Sequence, residues 1–182
     1  MEIWDLYTSK RERTGQTHVR GNEIPQGCYH LVVHVWIRNS RGQYLISQRS
    51  ASRPTFPLMW ETVGGSVLAG ESSRAGALRE TLEEVGIDLS GSAGKLLFSQ
   101  VRDHIDGKPF RDILDVWLFS FDGEFNLANA STDETAQAIW MFPQEILTLL
   151  NSGKLVPTLS YFFTSVETSV ETSVETQQGC TT

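Results

Sequence analysis

Gly64-Gly-Ser-Val-Leu-Ala-Gly-Glu71-Ser-Ser-Arg-Ala-Gly-Ala-Leu-Arg79-Glu80-Thr-Leu-Glu83-Glu84-Val-Gly86-Ile87 is the stretch on which the reading of this chain turns. Residues 72–85 have the composition of a helix, and Gly86 stands where a left-handed C-cap ends one. At about 100° per residue, Glu83 and Glu84 fall within about 60° of Glu80 on the helical wheel. Leu78, Leu82, Val85 and Ala75 gather on the opposite side, between about 140° and 220°. The spacing thus predicts an apolar stripe facing a core and three carboxylates on the other face. Like charges one turn apart repel in water, and a divalent cation reverses the sign of that interaction. Hard cations such as Mg²⁺ take oxygen ligands and commonly hold substrate phosphates as well. Gly64-Gly65, read as the end of a short strand from Trp60 to Val63, lets backbone approach a ligand closely. Gly76 leaves room on the carboxylate face, and Arg79 is placed to pair with Glu71 and orient the acids.

Working outward, Cys28 to Ile37 is β-branched and aromatic, hence a strand, and Tyr44 to Arg49 is its hairpin partner. Residues 95–103 and 110–121 read as two more strands joined by Asp106-Gly107-Lys108-Pro109. Residues 136–142 form another strand, and Pro143 opens a second helix that stops near Asn151-Ser152-Gly153. Strands outnumber helices, which points to an α/β (α+β) sandwich. Residues 1–27 read as a polar N-terminal extension, 28–163 as the folded domain and 164–182 as a tail. In that tail Thr-Ser-Val-Glu occurs three times. A four-residue period drifts about 40° per repeat on a helix, and Thr and Val are weak helix formers, so a low-complexity, mobile end is expected.

Fifteen basic and 22 acidic residues in 182 give a net charge of −7. That balance argues against duplex nucleic acid and anionic membranes as partners, while leaving phosphate substrates open. Two cysteines make neither a disulfide framework nor a zinc site. There is no secretory leader pattern and no long apolar run, so a cytoplasmic protein is expected.

The segment 65–87 resembles the Nudix box, with Gly65, Glu71, Arg79, Glu80, Glu83, Glu84, Gly86 and Ile87 at the matching positions and Thr81 where the pattern has an apolar residue. The resemblance implies an α/β/α sandwich with a mixed sheet and hydrolysis of a diphosphate linkage in a nucleoside diphosphate derivative or related organic diphosphate. It implies Mg²⁺ or Mn²⁺ held by Glu80, Glu83 and Glu84, with the carbonyl of Gly64 or Gly65, and with Glu134 (or Asp133) from a late loop. Glu80 or Glu83 is the expected base, and Arg79 completes the catalytic set. Arg49, Arg53 and Glu71 are expected to meet the substrate, because Arg offers phosphates a planar fork. Lys10, Arg11, Arg13 and Arg20 are read as a solvated basic edge, with closure over an anionic substrate as the alternative. A homodimer is left open.

A weaker resemblance runs through residues 2–60 toward the isopentenyl-diphosphate isomerases, but residues 60–67 carry neither the Cys nor the His that those enzymes use there. Isomerase activity, or a non-catalytic nucleotide-binding module, stands as the alternative. His30 and His34 share one strand face and are read as structural or substrate-contacting.

Overall fold

The long apolar strand β3 (His30–Arg38) is the spine of the molecule. Its side chains alternate between two cores, as a strand buried on both faces requires. Leu31, Val33, Val35 and Ile37 face one core with Ala77 and Val85 of helix α1 (Ser73–Val85). Trp36 faces the other core, with Ile146 of helix α2 (Pro143–Asn151), Leu159 and Phe162. The computed structural model describes residues 2–105 and 108–170; the expected turn residues Asp106 and Gly107, and residues 171–182 of the repeat, lie outside them. Among the described residues no helix is long and apolar enough to cross a membrane.

The main sheet is mixed. β4 (Tyr44–Arg49), β3, β8 (Lys108–Ser120) and β7 (Gly94–Ile105) are neighbours in that order, with β5 (Trp60–Glu61) beyond β4. β3 and β8 run parallel from the pair His30 and Asp112 to the pair Arg38 and Ser120. β9 (Thr135–Met141) pairs antiparallel with β4, and β6 (Val63–Ser66) pairs antiparallel with β3. With α1 on one face and α2 and the C-terminal turns on the other, this is the α/β/α sandwich that the sequence implies.

Four expectations change. Gly64 and Gly65 do not end a strand: they lie inside β6, opposite His34 and Val33. The first 27 residues are not a loose extension. They form a hairpin of β1 (Ile3–Tyr7) and β2 (Arg13–Val19), in which Trp4, Leu6 and Tyr7 are buried. Trp4 stacks on His30 with ring centres 4.2 Å apart, and Arg11 at the hairpin tip makes a two-pronged ion pair with the fully buried Asp115 of β8.

The tail does not begin at Thr164. A π-helical stretch, Phe162–Glu167, continues as helix to Val170 and buries Val166 and Val170, while Glu167 accepts a hydrogen bond from the buried Tyr44 hydroxyl at 2.7 Å. Over a single repeat the drift of about 40° is too small to take the second Val off the face of the first. Finally, α1 does not bury the stripe centred on Leu78 and Leu82. Leu82 is 48% exposed, and the buried positions are Ser73, Gly76, Ala77, Thr81, Glu84 and Val85. The small residues let the helix sit close on β6 and Val67, which draws the carboxylates toward the sheet.

Candidate active site

Helix α1 is capped at both ends by its own sequence. The Ser72 hydroxyl accepts from the Ala75 N–H, and Gly86, at φ 70°, closes the C-terminus with its N–H on the Leu82 carbonyl. A side chain at Gly86 would also strike Asn129 and Ala130, so glycine is what lets the loop after β8 pack on the helix end. That loop is tied down there, because the N–H groups of Ser131 and Thr132 both donate to the Glu83 carbonyl. It then delivers Glu134, whose own carbonyl accepts from Ser50 N–H at the end of β4.

These elements enclose a small polar cavity of about 140 Å³. It is lined by Gly64, Gly65 and Ser66 of β6, by Arg79, Glu80, Glu83 and Glu84 of α1, by Thr132 and Glu134 of the loop, and by Arg53, Glu2 and Arg20. Of the expected residues, Glu80, Glu83, Glu84, Arg79, Gly64, Gly65, Glu134 and Arg53 therefore meet in one place. Asp133 is not among the lining residues.

Arg79 organises the acids. Its Nε and Nη2 donate to the two oxygens of Glu71, at 2.9 and 3.2 Å, and Nη2 also donates to the Ser66 carbonyl at 2.9 Å. Its Nη1 donates to Glu80 and to Glu83, each at 2.9 Å. Gly65 makes room for this arrangement: an added Cβ would lie 2.4 Å from the Glu80 carboxyl carbon. Thr81, where an apolar residue is usual, is fully buried and returns its hydroxyl to the Ala77 carbonyl at 2.8 Å, so its polar atom is satisfied.

The electrostatics grade the carboxylates. Burial pushes Glu80 up to about 7 against the opposing pull of Arg79. Glu84 is driven well above the carboxylate range by burial and then by Glu61, Glu80 and Glu134; only the Gly64 N–H, at 3.3 Å, opposes this. Glu71 also suffers burial, but Arg79 and the Leu68 N–H hold it below its ordinary value. Acids that resist ionisation beside one another form an electrostatic environment that a cation relieves. The donor set is all oxygen, which suits a hard divalent ion. Among the described residues no three His, Cys, Asp or Glu side chains stand as a ready-made ligand cluster, since Glu80 and Glu83 are both turned onto Arg79.

Arg53 pairs with Glu134 at 2.5 Å, and its Nε is buried with no hydrogen-bond partner among the described residues. A buried guanidinium N–H without a partner is costly unless a ligand completes it.

Two residues expected to meet the substrate, Arg49 and Glu71, are not among those that line the cavity. Arg49 does not line the cavity. It clamps Glu61 with Nη1 at 2.6 and 2.8 Å and donates to the Thr55 carbonyl, so it holds the Pro-containing loop to β5. Glu71 is likewise taken up by Arg79 and the Leu68 N–H, and its role is to anchor Arg79. The basic edge divides as well: Arg11 is spent on Asp115, Arg13 reaches the Glu71 carbonyl at 3.3 Å, and only Arg20 lines the cavity. His30 and His34 lie elsewhere. His34 Nδ1 is 2.7 Å from the Tyr161 hydroxyl; His30 is buried and His34 half-buried, and both rings are held well below the ordinary histidine value, chiefly by desolvation.

Glu2, Ser66 and Thr132 are cavity residues that sequence reasoning did not place, and Arg20 lines the cavity although the solvated edge is the favoured reading for it. The signal for the hairpin that brings Glu2 and Arg20 was the alternation of Trp4 and Leu6 with Ile3 and Asp5.

The NUDIX domain model matches residues 29–162. A Nudix hydrolase of Listeria monocytogenes is 37% identical over 166 residues, spanning 90% of this chain and 91% of its own length. Among solved structures, the DR0079 protein of Deinococcus radiodurans superposes with a TM-score of 0.66 over 85% of this chain and 92% of its own, at 24% identity. A short likeness to the isopentenyl-diphosphate Δ-isomerase of Citrobacter koseri, 34% identical over 62 residues, covers 34% of each chain. The chain belongs to the Nudix hydrolase family.

Proposed function

We propose that this protein is a divalent-metal-dependent hydrolase of a diphosphate linkage in a nucleoside diphosphate derivative or related organic diphosphate. The observation that carries this reading is the cavity that Glu80, Glu83, Glu84 and Glu134 line together with Arg53. Glu80, Glu83, Glu84 and Glu134, with the carbonyls of Gly64 and Gly65, are the residues that would hold Mg²⁺ or Mn²⁺. Such an ion supplies charge neutralisation at the diphosphate oxygens and a more acidic water.

The chain's own residues do the rest. Glu80 and Glu83, held side by side on Arg79, are the candidate acceptors of a proton from the attacking water. Arg79 fixes both carboxylates in place, and Glu71 fixes Arg79. Arg53, which lines the same cavity, would donate to a phosphate oxygen and so hold the substrate for in-line attack.

The test is a diphosphate panel assayed with Mg²⁺, with Mn²⁺ and after chelation. Phosphate or monophosphate release that needs the metal, and that Glu84→Gln lowers by about 100-fold or more with the fold intact, is the expected result. A folded, metal-loaded wild type that releases nothing across the panel refutes the reading. Solvent deuterium entering an allylic product without phosphate release would point to the isomerase instead.

A further inference from the structure

Glu2 and Arg20 close the cavity from outside the segment that the family model covers, which begins at residue 29. Glu2 stands just before β1 and Arg20 just after β2 of the N-terminal hairpin, and they pair at 2.5 Å. The hairpin is docked onto the box itself. Ala69 N–H donates to the Ile3 carbonyl at 2.8 Å, Gly70 N–H to the Asp5 carboxylate at 3.0 Å, and Arg13 to the Glu71 carbonyl. Arg20 N–H meets the Glu2 carbonyl at 3.1 Å, so the backbone carrying both side chains is fixed while the side chains remain half open to solvent, 39% for Glu2 and 52% for Arg20. An ion pair this exposed contributes little to stability. Its position on the cavity proposed to take a metal-bound diphosphate is the feature that needs a reason.

We infer that Arg20 is a substrate-binding residue, that it exchanges the Glu2 carboxylate for a diphosphate oxygen when substrate enters, and that Glu2 acts as a gate competing with the substrate for that guanidinium. The inference deepens the diphosphohydrolase reading and rests on it for the class of ligand. Arg53 from the loop after β4 and Arg20 from the hairpin enter the same cavity, so the two guanidinium groups serve one diphosphate. The pairing also gives the two hairpin residues opposite signs: Arg20 strengthens binding and Glu2 weakens it.

The experiment uses the full chain with Arg20→Gln, Arg20→Lys, Glu2→Gln and the double variant. Steady-state kinetics on the best panel substrate are read alongside calorimetric binding of inorganic pyrophosphate in Mg²⁺, and thermal unfolding checks that each variant is folded. Arg20→Gln is expected to raise KM and the pyrophosphate Kd by about tenfold, the effect falling on KM rather than kcat, with Arg20→Lys in between. Glu2→Gln is expected to lower both constants several-fold, and that gain is expected to vanish in the double variant.

Unchanged KM and pyrophosphate affinity in Arg20→Gln, with an active wild type, overturns the inference and leaves the hydrolase standing. An equal gain from Glu2→Gln with and without Arg20 overturns the exchange, since the gain is then simple removal of charge. A wild type that binds no pyrophosphate overturns the inference as well. If pyrophosphate binds in an Arg20-dependent way and nothing is hydrolysed, the inference stands and the hydrolase reading fails.

Discussion

Gly65→Ala tests whether the box strand is glycine because Glu80 needs the space. A Cβ on Gly65 would lie 2.4 Å from Cδ and Oε1 of Glu80 and 2.6 Å from Oε2. Carbon contacts are comfortable near 3.5 Å, so the carboxylate must withdraw by about 1 Å. Gly65 cannot yield, because its backbone is hydrogen-bonded in register with Val33. Glu80 is the freer partner, and moving it strains the 2.9 Å bond from Arg79. A displacement of about 1 Å at a reacting group costs on the order of 100-fold in rate. That corresponds to about 2.7 kcal/mol of transition-state stabilisation. The stability effect is smaller. Gly65 is not among the glycines with positive φ, so alanine suits the backbone, and the gain of about 0.5 kcal/mol in a strand offsets part of an overpacking cost of about 1–3 kcal/mol. The assay is kcat on the best panel substrate alongside urea unfolding. Gly91→Ala is the control, because nothing lies within 4 Å of its Cβ. A folded Gly65→Ala protein with wild-type kcat refutes the reasoning, as does one no more impaired than the control.

Arg49→Ala is expected to lower stability by about 3 kcal/mol, because it leaves the half-buried Glu61 without its bidentate partner, while the folded fraction keeps its KM; urea titration and kinetics on the same sample check both. His30→Phe is expected to lessen the acid sensitivity of the fold. His30 is held at about 4 when folded and lies near 6.5 when unfolded, so the unfolded chain binds the extra proton between those values and stability falls as pH drops from 6.5 toward 4. Between pH 7 and pH 5 the wild type should lose roughly 2 kcal/mol more than the variant, read from urea unfolding at each pH. Comparison with the variant is needed because Glu80 and Glu84, raised in the fold, shift stability the opposite way. Truncation after Phe163 is expected to cost about 3 kcal/mol or more, since it removes the buried Val166 and Val170 and the Glu167 partner of Tyr44; a melting temperature within about 1 °C of the full chain would contradict the packing described.

The site was legible wherever a residue's task is local. Gly86 was recognised as the helix stop because a left-handed C-cap is a backbone requirement of the position itself. The clustering of Glu80, Glu83 and Glu84 followed from helical spacing, and the Arg79–Glu71 pair from two residues on one short segment. Which face of α1 turns inward was misread. Ranking by hydrophobicity favours Leu78 and Leu82, whereas the fold buries the side that carries Glu84. A polar group is tolerated there only because the Gly64 N–H and the glycine-lined strand come from elsewhere in the chain.

Arg49 and Arg53 show the same limit. Four residues apart, one ending β4 and the other in the loop after it, they offer the same chemistry in sequence, and only the fold places Glu61 beside one and Glu134 beside the other. By itself, then, the sequence determined that residues 28–37 form a strand, that a helix ended by Gly86 carries the acidic set, and which family the box resembles, since each depends on composition or spacing within a short segment. The tertiary structure alone decided that Arg53 and not Arg49 lines the cavity, that Arg49 is held on Glu61, and that an N-terminal hairpin brings Glu2 and Arg20 to it. Those assignments depend on contacts between separate elements, and such contacts are set by the packing of whole elements, which local spacing does not encode.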